Sequence, residues 1–177
     1  MKVRLFSAQL LLIAILLLSL SSAAATSQVK VYLQPDRQQV SPGDTLTVRV
    51  YVEPGEAGLS AGEFHVAYPS SLLKAQKVEV GELFGDNPLI GMDKTEIVGE
   101  KEVVKLALAR VGETSKPTAP GTAFTIRLEV LQTASSGSYT INLSKVDLVD
   151  ESFNRIEDVQ VQECTITVEV FTPTPTF

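Results

Sequence analysis

The sequence predicts an all-β fold, an antiparallel β-sandwich of about nine strands in the jelly-roll manner. Apolar residues recur at every second position in run after run. Clusters of Gly, Pro, Asn and Ser separate these runs, and no segment carries a convincing helical stripe. A period of two places one set of side chains against a core and the other toward solvent.

The strands follow in chain order. Val29, Val31 and Leu33 form the first. Leu46, Val48, Val50 and Val52 alternate with Thr45, Thr47, Arg49 and Tyr51. Phe64, Val66 and Tyr68 alternate with Glu63, His65 and Ala67. Val78 and Val80 belong to another strand, and Ser70 to Gln76 allows a turn of helix at most. Val104, Leu106 and Leu108 alternate with Lys105, Ala107 and Ala109. Phe124, Ile126, Leu128 and Val130 make the next run, Tyr139, Ile141 and Leu143 another, and Cys164, Ile166, Val168 and Val170 the last. The phase changes between Leu143 and Val146 and again between Val161 and Cys164. One inserted residue restores the inward face, so a bulge or bend is expected at both places. Ser41-Pro42-Gly43-Asp44, Pro54-Gly55, Gly85-Asp86-Asn87-Pro88 and Ala119-Pro120-Gly121 are turn chemistry.

Both ends lie outside this unit. Met1 to Arg4 carries two cations, Leu10 to Leu20 is an almost unbroken apolar run, and Ala23-x-Ala25 offers small residues for cleavage. That is the layout of a secretory signal peptide over residues 1–25. The alternative is an uncleaved anchor, but the apolar run falls short of the roughly 20 residues that span a bilayer comfortably. Residues 26–171 then form one β-sandwich domain, and residues 172–177 a Thr/Pro-rich tail whose prolines cannot donate to a sheet. A chain of that size buries roughly 68–70% of its unfolded surface, enough for one core without disulfides.

The whole chain has a net charge of −6; losing Lys2 and Arg4 leaves 13 basic against 21 acidic residues, a net charge of −8. Nucleic acid is excluded as a partner because phosphates call for a basic face. Membrane contact by the mature domain is not expected either, and the domain is expected to be a monomer.

Little here converges on catalysis. His65 and Cys164 are the only histidine and cysteine, too few for a usual zinc site, and a catalytic thiol at Cys164 would need His65 itself as its nearby base. No catalytic, cofactor or metal residue is assigned. Asp150, Ser152, Asn154 and Asp158 imitate the start of an EF-hand loop, but Arg155 stands where Gly is needed and Val161 where a bidentate Glu is needed. A polar loop is the simpler account. Asn142-Leu143-Ser144 is a glycosylation sequon on an outward strand position.

Four motifs carry a resemblance. Val40-Ser41-Pro42-Gly43-Asp44-Thr45-Leu46-Thr47-Val48 is a Pro/Gly-Asp turn feeding the second strand. Phe64 to Leu73 follows the pattern F-x-x-x-Y-D-P-x-x-L, with Pro69 where Asp is usual. Ala119 to Ile126 resembles G-x-x-F/L-x-x-I, with Ile126 one position early, and Thr165 to Val168 matches a closing strand. In their order these resemble a cohesin domain from Val29 to Val170. The resemblance implies a non-catalytic extracellular or cell-surface module. Its flat sheet face, on the third, fifth, sixth and eighth strands, would dock a dockerin, a small helical module that carries the calcium. It places Ala61, Glu63, His65, Lys105, Ala107 and Ala109 on that face, with Arg110 and Glu113 in the turn beyond. The partner it implies is a dockerin-bearing protein, a polysaccharide-degrading enzyme among the candidates.

The same sandwich also carries carbohydrate-binding modules, and polysaccharide is the alternative ligand. Sugar faces call for exposed rings; there is no Trp, the outward aromatics are Tyr32 and Tyr51, and Phe84 and Phe153 sit near loops. A plain structural element of a surface layer is a third possibility.

Overall fold

The computed structural model describes residues 28–56, 58–112 and 116–170. The predicted signal peptide, the tail and Glu113 lie outside the described residues. Eleven strands and no helix are present among them. They are β1 (Val29–Pro35), β2 (Gln39–Val40), β3 (Thr45–Glu53), β4 (Leu59–Pro69), β5 (Leu73–Val80), β6 (Leu89–Val98), β7 (Lys101–Ala109), β8 (Gly121–Val130), β9 (Gly137–Asp150), β10 (Val159–Gln162) and β11 (Cys164–Val168). They build two sheets, ordered β10-β1-β3-β8-β5 and β2-β11-β9-β4-β7-β6.

The alternation does what a period of two requires. Along β3, Leu46, Val48, Val50 and Val52 are fully buried, and along β8 Phe124, Ile126 and Leu128 are too. Phe64 of β4 meets Phe124 of the facing sheet edge-on, ring centres 5.8 Å apart, and Phe84 tilted at 6.5 Å. Each such ring contributes about 1.5–3 kcal/mol by leaving water. The Ser41–Asp44 turn closes as its chemistry predicts. Ser41 N–H donates to the Asp44 carboxylate at 2.8 Å, and Gly43, at a φ of 89°, donates to Val130 O at 2.8 Å.

Three details depart from the sequence expectation. There are eleven strands in place of about nine. Two of the extra elements are the two-residue β2 and the edge strand β6, whose mixed composition hides its period. The segment from Ser70 is not helical: Leu72 N–H closes a turn on Pro69 O, and β5 starts at Leu73. The sheets are mixed, because β10 runs parallel to β1 and β11 parallel to β2. Alternation reports which side chains are buried and not which way a neighbour runs.

Both predicted irregularities are present. Opposite His65 and Val66 of β4 the partners are Lys145 and Leu143, so Ser144 is the extra residue of a bulge. Between Val161 and Cys164 the chain leaves one sheet after Gln162 and joins the other at Cys164.

Candidate functional site

The outer face of the six-stranded sheet is assembled by register. In antiparallel pairs, directly opposed residues point to the same side. The order β9-β4-β7-β6 therefore lays side chains in rows. Val149, Ala61, Ala109 and Leu89 make one row; Asp147, Glu63, Ala107 and Met92 the next; Lys145, His65, Lys105 and Lys94 the third. Of the residues assigned from sequence, Ala61, Glu63, His65, Lys105, Ala107 and Ala109 thus come together on one face, on two adjacent strands. All six are partly exposed, whereas Phe64, Val66, Leu106 and Leu108 between them are buried.

The first two rows enclose a shallow hollow of about 240 Å³, bordered by Ala61, Ala107, Ala109, Leu89, Gly91 and Val149, with Glu63 and Asp147 at its side. It exists because three alanines and a glycine meet there. Gly91 is the extra residue of a bulge in β6, between Ile90 and Met92. An alanine side chain covers little of the sheet, so the floor stays level.

Charge surrounds this floor. Glu63 accepts from His65 Nε2 at 2.7 Å and from Lys145 at 2.9 Å. Lys145 also reaches Asp147 at 3.1 Å, and Asp147 pairs with Arg155. On the other flank Glu96 holds both Lys105 and Lys94. The hydrogen bond from Lys145, joined by that from His65, keeps Glu63 below the usual carboxylate range despite its partial burial. Asp147 is lowered by Lys145 and then by Arg155, and the two carboxylates raise Lys145 in return. Glu96 is lowered to about 2 by Lys105 and Lys94. The carboxylates are thus held ionised, and the cations are held in place.

Beyond the third row the platform ends. Ala67 and Val103 face outward by alternation yet are only 2% and 6% exposed. Lys101 donates to Asn142 Oδ1 at 3.2 Å in the same region, so the sequon asparagine is engaged at the margin of this face.

Arg110 lies elsewhere. It follows Ala109 with the opposite parity and lines a separate cleft of about 530 Å³ with Glu82, Lys116 and Pro117 to Gly121. Its backbone N–H donates to Ser60 O at 2.9 Å, while its Nε and Nη1 are buried with no hydrogen-bond partner among the described residues. Glu113 lies outside the described residues.

Sequence reasoning missed half of the face. Lys145, Asp147 and Val149 were recoverable, since the phase change at Ser144 turns them outward. Leu89, Gly91, Met92, Lys94 and Glu96 had no signal, because β6 is exposed on both sides. The calcium-like loop is an ordinary turn: Asp150 Oδ1 accepts the backbone N–H groups of Ser152 and Asn154, each at 2.8 Å. Among the described residues no group of three His, Cys, Asp or Glu is placed to hold a metal. Of the aromatics considered for sugar binding, Phe84 is buried, and Tyr32 and Tyr51 tilt against each other on the other sheet at 5.2 Å.

The sequence matches the model of the cohesin domain over residues 31–168. The chain belongs to the cohesin domain family. Solved cohesins share its fold at low identity. The non-cellulosomal cohesin of the archaeon Archaeoglobus fulgidus is 18% identical with a TM-score of 0.61, over 81% of this chain and 92% of that one. The OlpA cohesin of Clostridium thermocellum, solved in complex with the dockerin Doc918, is 20% identical with a TM-score of 0.62, over 81% and 99%. The cohesin module of a family 33 glycoside hydrolase from Clostridium perfringens is 14% identical with a TM-score of 0.65, over 82% and 100%. No curated protein sequence matches this cohesin.

Proposed function

We propose that this cohesin is an exported, non-catalytic receptor that docks a dockerin-bearing protein on the outer face of β9-β4-β7-β6. The hollow at Ala61, Ala107 and Ala109 carries the assignment. A helix settles on a level apolar floor, and the flanking ion pairs give polar register without filling it. The partner brings its own calcium. The leader-like pattern of residues 1–25 supports export to the cell surface or beyond. The one thiol and the one imidazole support a non-catalytic role: His65 is bound to Glu63, and burial pushes the Cys164 thiol up to about 11.

Purified dockerin-bearing proteins of its own host should be mixed with the mature domain, with calcium and with chelator, alongside insoluble cellulose and chitin. Calcium-dependent capture of a dockerin is the expected result. Retention on polysaccharide with no dockerin captured would overturn the assignment.

A further inference from the structure

β6 ends the six-stranded sheet, and among the described residues its far edge pairs with nothing. An unpaired edge is a template for another strand unless something blunts it. This one is apolar at both ends. Ile97 is 62% exposed and Val98 54%, Ile97 on the inner side, where the opposite sheet does not reach.

We propose that β6 pairs with β6 of a second copy of this chain, antiparallel, about a two-fold axis through Thr95. Self-complementarity of the strand selects this register. Opposed residues must point to the same face, so a two-fold axis normal to the sheet has to pass through a residue of the regular stretch beyond the Gly91 bulge. An axis through Asp93 sets Asp93 against itself; through Lys94, Lys94 against itself; through Glu96, Glu96 against itself. Each puts like charges opposite each other, which is unfavourable. Through Ile97 the regular stretch leaves almost nothing to pair. Through Thr95, Lys94 of each copy faces Glu96 of the other, and Met92 faces Val98, both pairs twice. Asp93 against Ile97 is the one mismatch, and it falls on the water-exposed overhang. The axis leaves both docking faces on the same side, so a dimer presents two platforms side by side.

This does not depend on what the platform binds, and it replaces the monomer expected from sequence. The test uses the mature chain with Cys164→Ser, adding Thr95→Cys, Asp93→Cys or Ile97→Cys one at a time, under mild oxidation. Thr95 meets its own copy across the axis, within about 5.5 Å between β-carbons. Two copies of Asp93, or of Ile97, lie about 14 Å apart along the strands. The Thr95→Cys chain should cross-link at least tenfold faster than the other two. In sedimentation equilibrium the wild-type chain should dimerise at or below the order of 100 µM, as a small interface does. Lys94→Glu should weaken dimerisation at least tenfold. A wild-type chain that stays monomeric throughout, or three cysteine variants that cross-link at equal rates, would overturn the proposal.

Discussion

Glu102, on β7, accepts the backbone N–H of Ala75, on β5 of the opposite sheet, at 3.2 Å. The bond ties the two layers together where β5 breaks register around Gln76. The Tyr68 hydroxyl is buried close by without a good hydrogen bond, and burial beside the Glu102 carboxylate holds this phenol well above its ordinary range. Glu102→Ala should lower stability by about 1–2 kcal/mol, since an amide left unpaired costs more than a hydrogen bond supplies. Glu102→Gln, which can still accept, should recover most of it. Thermal melts decide; an alanine variant that melts like wild type would show that the sheets need no such tie.

Gly62 is required for volume. A Cβ there would lie 2.8 Å from two ring carbons of Phe64 and 2.9 Å from Leu148 Cδ2. Gly62→Ala should cost about 1–3 kcal/mol by overpacking. Gly91→Ala meets only Ala107, at an ordinary 3.8 Å. It should fold normally and weaken docking by shallowing the hollow. Denaturant unfolding of both variants, and binding of a captured dockerin by the second, separate the two roles.

Ala107→Arg should remove partner binding and leave the melting temperature unchanged. The side chain stands in the middle of the face with room only outward, and bulk at the centre of an interface is the most damaging kind. Wild-type affinity in calorimetry would place the docking face elsewhere.

The Glu63–Lys145–Asp147 chain makes stability depend on pH. Glu63 and Asp147 ionise more readily folded than unfolded. Their stabilisation is therefore present above the ordinary carboxylate range and is lost as pH falls through their lowered values. Melting temperature should drop on acidification through that range, and less steeply in Lys145→Ala, where both carboxylates move back up. An unchanged slope in that variant would remove Lys145 as the cause.

Cys164 should resist alkylation. Burial, with Glu163 nearby, raises its thiol to about 11, so little thiolate exists at neutral pH. Iodoacetamide labelling of the native chain near pH 8 should be at least tenfold slower than that of the chain in denaturant. Equal rates would mean that the thiol is open to solvent.

Which side chains face inward along β3, β4, β7 and β8 was written in the alternation, as were the bulge at Ser144 and the crossing near Glu163. That is because burial acts residue by residue: an apolar side chain pointing to water is penalised whatever its partner strand. Hence Ala61, Glu63 and His65 could be put on one outward face and Lys105, Ala107 and Ala109 on another. Alternation does not say that these two faces are one; the resemblance implied it, and the tertiary structure decided it. Pairing of Ala61 with Ala109 spans a long stretch of chain, and register between distant strands is set by the packing of the whole core. The same holds for the parallel edges formed by β10 and β11, and for β6, whose residues touch too little core to carry a period.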